Sequence, residues 1–144
     1  MNQLIGVDLG GSAIKLGRFS EAGDLLAELQ VPTPQPAVPG AVTTAIVAAV
    51  QQLDPERLAD RVGVGHPGPS DQASRVARNA INLPGWLDVP LANWLEPLLE
   101  RPVTLANDAN CALIGEHWLG AARGVGDVLL LTLGTGVGGA VLLD

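Results

Sequence analysis

The chain is 144 residues long, 47% hydrophobic and 16% charged, proportions that fit one globular domain able to hold a core without disulfides. A net charge of -7, with eight Lys and Arg that never cluster, argues against a nucleic-acid partner, and the single cysteine, Cys111, excludes an internal disulfide and a cysteine zinc site. The opening MNQLIGVDLGG has no signal-peptide pattern and apolar runs such as VLLL at 128–131 fall short of a bilayer span, so a cytoplasmic protein with no membrane partner is expected.

In chain order, LIGVDLGG, AIKLGRFS and DLLAELQVP read as three strands joined by tight turns, the first carrying Gly10-Gly11 and the second Glu21-Ala22-Gly23-Asp24. The proline-rich stretch at 31–40 reads as a connector, excluded from helix and central strand. From Ala41 onward, Val42, Ala45, Ile46, Ala49, Val50 and Leu53 recur at helical spacing, and Asp54-Pro55 ends or bends that helix.

RVGVGHPGP then predicts a short strand running into a Gly/Pro loop, followed by a polar stretch to Asn79 and a loop through AINLPGWLDVP. Pro90 suits the first turn of a helix with Leu91, Trp94, Leu95, Leu98 and Leu99 on its apolar face. PVTLA is a strand, and LANDANCALIGEHWLG opens the following helix, an alanine-rich run that looks buried and stops near Gly120. Three hairpin-linked strands followed by alternating helices and strands indicate an α/β fold with a mixed sheet.

The final stretch, DVLLLTLGTGVGGAVLLD, is strand, glycine turn, strand, and it repeats the organisation of IGVDLGGSAIKLGRF at the start. The expected division is therefore a lobe over residues 1–126 and the first hairpin of a second lobe over 127–144. A matching second lobe would need on the order of 100 further residues, so the chain is expected to be a first lobe or a fragment.

Gly134, Gly136 and Gly139 satisfy G-x-G-x-x-G, but the segment after them continues as strand, so the dinucleotide fingerprint fails its context. Two readings of the glycine turns stay open. They are ordinary hairpin turns, or they are anion nests in which backbone N–H groups converge on phosphate, with Ser12 and Thr135 adding hydroxyls. In the second reading Asp8, ending the first strand, holds Mg²⁺ through water. Lys15 either approaches the phosphate or faces solvent.

Five segments in order, VDLGGSAIKLG, GVGHPGP, AINLPGW, ANDANCALIGE and LTLGTGVGGA, resemble the ROK family of sugar kinases, notably its glucokinases, over Gly6 to Asp144. The first segment also resembles the phosphate-loop motif of the wider sugar kinase, Hsp70 and actin superfamily. The resemblance implies a ribonuclease H-like mixed sheet in an actin-like ATPase lobe. It further implies transfer of a phosphoryl group from ATP, with Mg²⁺, to the 6-hydroxyl of glucose.

Ser12 stands where the family more often has threonine. The GGSAIK form also occurs in polyphosphate-using relatives, which leaves ATP and polyphosphate open as donors. The family's zinc motif and a Glu/His pair completing the sugar site lie beyond its second phosphate loop. Sugar binding by this chain alone is accordingly expected to be incomplete, and the isolated chain inactive. Kinases of N-acetylmannosamine, N-acetylglucosamine and fructose share most of these motifs, and a homodimer of the full-length protein stays open.

By the same resemblance Asp108 is the catalytic base and, with Asn107, a sugar ligand; Gly68 and Asn82 line the sugar site; and Asp8, Gly10, Gly11, Ser12, Lys15, Thr135 and Gly136 form the phosphate and nucleotide side. The physics of the position agrees: a carboxylate in the first turn of a helix is favoured by the helix dipole. Asn107 and Asp108 also read as capping residues, a role compatible with the first. Asn110 is expected to support its loop, Glu116 to be structural, and Trp86 either to cover a sugar face or to pack in the core. His66, His117 and Cys111 read as structural. The competing classes are a sugar-responsive transcriptional regulator of the same family, disfavoured by the acidic charge and the early glycine motif, and a non-catalytic sugar-binding lobe.

Overall fold

A computed structural model describes residues 2–134 and 136–144. Strands β1 (Gln3–Leu9), β2 (Ala13–Ser20) and β3 (Leu25–Pro32) are followed by helix α1 (Pro39–Leu53) and strand β4 (Ala59–His66). Two short strands come next, β5 (Ala77–Asn79) and β6 (Leu87–Val89), then α2 (Leu91–Leu99), β7 (Val103–Asn107), α3 (Asp108–Leu119), β8 (Val128–Leu133) and β9 (Val137–Leu142).

The main sheet has the order β3-β2-β1-β4-β7, antiparallel from β3 to β1 and parallel across β1, β4 and β7. This is the mixed sheet expected from three hairpin-linked strands and alternating helices. Its two faces differ because the strands alternate apolar residues with glycine. Ile5, Val7, Leu9, Val62, Val64, Val103 and Leu105 are buried with Val42, Ile46 and Val50 of α1 and Leu91 and Leu95 of α2 in one core. On the opposite face Gly17, Gly6 and Gly63 lie side by side in register, and the Phe19 ring lies over Gly17 and Gly6.

A buried ion cluster closes the end of the sheet where the parallel strands begin. The Asp54 carboxylate, wholly buried, accepts from Arg18 Nη1 at 3.0 Å and Arg101 Nη1 at 2.7 Å. It also takes the backbone N–H groups of Leu58 and Ala59 at 2.9 and 3.1 Å. Burial pushes this carboxyl up, but the hydrogen bonds from Arg101, the two N–H groups and Arg18 outweigh it and bring its pKa down to about 2.

Several boundaries depart from the sequence reading. α1 starts two residues early, because Pro39 supplies the fixed φ of a first helical turn. LDV, read as loop, is strand β6 paired with β5, too short for any periodicity to register. In α2, Leu91, Ala92, Leu95 and Leu99 are buried, while Trp94 and Leu98 are 40% and 55% exposed. The expected apolar face was thus placed too far round the helix. α3 is not the buried run it resembles: of its residues only Ala109 and Leu113 are buried, packing with Ala140 of the β8–β9 hairpin. That hairpin is a separate two-stranded sheet with Leu129, Leu131, Val137 and Val141 exposed. Among the described residues no helix is long and apolar enough to cross a membrane.

Candidate active site

β1, β4 and β7 run parallel and end together, the edge at which open α/β sheets bind ligands. Asp8 near the end of β1, His66 ending β4 and Asn107 ending β7 are delivered to this edge by register alone: Asp8 stands beside Gly65, and His66 beside Asn107.

Asn107 is the N-cap of α3, with extended backbone and its side chain accepting from the Asn110 N–H at 3.2 Å. Its Nδ2 also donates to the carbonyl oxygen of Gly68, 2.9 Å away. The capping role is therefore real, and the same amide fixes the loop after β4. Asp108 follows as the first helical residue, Oδ1 accepting from the Ala109 N–H at 2.8 Å. Gly65 lets this helix start lie close to the sheet: a Cβ there would come 3.3 Å from Cys111 Sγ and 3.6 Å from Asp108 Cα.

Asp8, Lys15, Asp108, Cys111 and Thr132 share the wall of a cavity of about 800 Å³ floored by Gly6, Gly63 and Gly65. Burial and the nearby Asp108 carboxylate raise the pKa of Asp8, while Lys15, its cross-strand partner, lowers it. Lys15 thus faces the carboxylates across open space. The Cys111 thiol is pushed up by burial and by Asp108 and Asp8, which keeps it protonated. Two carboxylates repelling across one cavity favour a cation or a proton donor between them.

A second cavity of about 550 Å³ is lined by Gly68, Ser70, Asp71, Asn107, Asn110 and Gly139, among others. Gly68 has φ +79, and the carbonyl oxygen of Asn79 occupies the space of a Cβ, so only glycine fits. Asn110 lines this cavity as well as supplying the capped N–H. Asn82 is exposed on the 80–86 loop and lies in the wall of neither cavity, so the structure does not bring it beside Asp108.

The first glycine turn is held from one side. Gly10 donates its N–H to Ala13 at 3.0 Å, and a Cβ on it would come 2.8 Å from that oxygen. The carbonyl oxygens of Gly10, Gly11 and Ser12 accept from Thr33 Oγ1, Gln35 Nε2 and the Thr33 N–H at 2.7, 2.9 and 3.0 Å. Among the described residues the N–H groups of Gly11 and Ser12 take no acceptor, which leaves them for an anion. In the second turn Gly134 donates to Gly136 at 3.0 Å; Thr135 lies outside the described residues.

The remaining assignments resolve toward packing. Trp86 is 2% exposed and donates Nε1–H to the Ala37 carbonyl at 2.8 Å, so it is a core residue. Glu116 accepts from the Ala121 N–H at 2.9 Å and helps end α3. Two features escaped the sequence reading. The 33–35 segment, read as connector, is the brace of the first glycine turn, as its Thr and Gln among prolines could have signalled. Asp71 takes the N–H groups of Arg75 and Val76 at 2.6 and 2.8 Å, shaping the second cavity's wall, a turn that the polar run Ser70-Asp71-Gln72 after a Gly-Pro pair announces.

The model of the ROK family matches residues 4–144. The glucokinase of Thermotoga maritima is 38% identical over 140 residues, covering 97% of this chain and 44% of that protein. Among solved structures, a ROK family glucokinase from Streptomyces griseus in complex with glucose and AMPPNP superposes with a TM-score of 0.92. It is 36% identical, covering 99% of this chain and 45% of that one. The inorganic polyphosphate/ATP-glucomannokinase of Arthrobacter sp. strain KM gives a TM-score of 0.89 at 40% identity, covering 100% of this chain and 59% of that one. The chain spans less than half the length of the curated relatives it matches.

Proposed function

The chain belongs to the ROK family, and from that premise we propose that it is the base-bearing lobe of a glucokinase, transferring the terminal phosphoryl group of ATP to the 6-hydroxyl of glucose. Residues 1–126 form this lobe and 127–144 open a second one, a division supported by the β8–β9 hairpin being a sheet of its own that touches the lobe through α3. The observation that carries the proposal is the pairing of Asp108 with Asn107 at the start of α3, Asp108 in the wall of the cavity that holds Asp8 and Lys15 and Asn107 in the wall of one lined by amides and hydroxyls.

In this reading the sugar occupies the cavity bounded by Gly68 and Asn107, its reactive hydroxyl toward Asp108. Asp108 takes the hydroxyl proton as the oxygen attacks phosphorus, and the nucleoside diphosphate leaves with the electron pair of the broken bond. Asn107, fixed at both ends of its amide, sets the approach, so orientation is established before the substrate arrives. The unused N–H groups of Gly11 and Ser12 receive phosphate oxygens, with Lys15 adding positive charge. Asn82 would join the sugar only through movement of the 80–86 loop.

The residues present fit a phosphate-bound Mg²⁺ rather than a protein-caged ion. Among the described residues no group of three or more metal-ligating side chains converges, while Asp8 is a carboxylate in the cavity wall held under repulsion from Asp108. Asp8 would hold the ion through water, and the ion would supply charge neutralisation of the phosphates. The decisive experiment is a coupled assay of the full-length protein with glucose and either ATP or polyphosphate. Glucose-dependent product with one donor supports the reading; no turnover of any hexose with either overturns it.

A further inference from the structure

The imidazole of His66 is fully buried beneath the loop that follows β4, and each ring nitrogen meets one oxygen. Nδ1 lies 2.9 Å from the carbonyl oxygen of Pro67 and Nε2 lies 2.8 Å from Ser70 Oγ. A carbonyl only accepts, so Nδ1 carries the ring hydrogen. Burial lowers the pKa of His66, against the Pro67 carbonyl and the Asp108 carboxylate, which favour the cation; the ring is neutral and Nε2 offers a lone pair. Ser70 therefore gives its one hydrogen inward to Nε2. What its oxygen retains is acceptor capacity, and Ser70 stands in the wall of the 550 Å³ cavity.

Two neighbouring side chains in that wall are engaged in part. Asp71 Oδ1 takes two backbone N–H groups, and Asn107 Oδ1 takes the Asn110 N–H. Asn107 Nδ2 spends one hydrogen on Gly68 and keeps the other. The wall thus holds a free N–H and a free oxygen lone pair, the complement of a hydroxyl, which accepts once and donates once. An apolar pair in place of His66 and Ser70 would fill the same space without any hydrogen bond to satisfy. What the pair adds is a fixed polarity at the cavity surface.

We propose that Ser70 is a further sugar-contacting residue, an oxygen that accepts a hydrogen bond from one substrate hydroxyl because His66 holds its hydrogen inward. His66 is the positioning residue, touching Ser70 and not the sugar. The assignment rests on the reading of this cavity as the sugar site.

The test is steady-state kinetics of the full-length protein with glucose and a series of monodeoxyglucoses, for wild type and Ser70→Ala. The expected result is a rise in glucose KM of about tenfold in Ser70→Ala, the scale of one hydrogen bond, with kcat within about threefold. One deoxy sugar, lacking the hydroxyl that meets Ser70, should bind the two proteins equally, and Ser70→Thr should restore the wild-type pattern. Should the alanine variant not fold, Ser70→Cys keeps the size, weakens the acceptor and is expected to give the same selective loss. A uniform rise in KM across all analogues would mean a purely structural role and overturn the proposal, as would variants indistinguishable from wild type. A wild type that phosphorylates no hexose instead overturns the underlying reading of the site.

Discussion

Asn107 Nδ2 donates to the carbonyl oxygen of Gly68 across 2.9 Å, so the residue that caps α3 also clamps the loop after β4. Asn107→Asp separates the two roles: the carboxylate keeps the cap but sets an oxygen against the Gly68 carbonyl. In the full-length protein this variant is expected to lose about 1–3 kcal/mol of stability, from one broken and one repulsive contact, and to raise the glucose KM. Asn107→Ala loses the cap, at about 1 kcal/mol, together with the Gly68 contact, but meets no repulsion. Urea unfolding measures both; an alanine variant as stable as wild type would mean that the cap carries nothing.

Asp108→Asn preserves an oxygen for the Ala109 N–H and leaves the helix start intact. The expected outcome is a loss of kcat of about 10²- to 10⁴-fold, the usual contribution of a general base, with an unchanged melting temperature. Wild-type turnover in this variant would remove Asp108 from the mechanism.

Gly68→Ala places a methyl group where the Asn79 carbonyl oxygen lies and asks alanine to hold φ +79. Backbone strain alone is about 1–3 kcal/mol. The loop is expected to shift, weakening sugar binding more than global stability, read by a KM rise out of proportion to the change in unfolding free energy. Gly11→Ala, with nothing within 4 Å of its Cβ, is the control that should leave stability nearly unchanged.

Acid should unfold this chain in two stages. His66 has a folded pKa below its ordinary 6.5, so the stability from its neutral form is complete above pH 6.5 and lost as pH falls through the folded value. Asp54 moves from 3.8 to about 2 on folding, worth roughly 2 kcal/mol above pH 4 and lost as pH falls from 3.8 toward 2. Asp54→Ala strands two arginines in the core and is expected to cost about 3–5 kcal/mol at neutral pH. A melting temperature flat from pH 7 to pH 3 would contradict both assignments.

The sheet was legible because short apolar runs in β1, β2 and β4 are broken by glycine turns and polar residues, and the helix start was legible because Asn and Asp at a strand end have few other uses. What sequence patterns miss is visible in three places. A glycine row such as Gly17, Gly6 and Gly63 adds nothing to an apolar count, yet alternation of glycine with valine and isoleucine marks a face without Cβ atoms of its own, on which Phe19 can lie. α3 looks buried because Ala, Leu and Ile are apolar wherever they point, and its surroundings are set by contacts that no local period encodes. His66 and Ser70, four residues apart across a glycine-proline turn, meet only because that turn folds back.

The buried cluster of Arg18, Asp54 and Arg101 sits where β1, β4 and β7 begin, whereas Asp8, His66 and Asn107 stand at or near the positions where those strands finish. The buried charge cluster and the proposed chemistry therefore stand at opposite ends of the three parallel strands. Substitutions in the cluster should lower the amount of folded protein alone, whereas those at the other end, Asn107 among them, should also change catalysis per folded molecule. The sheet would then let stability be tuned at the cluster with little cost to turnover.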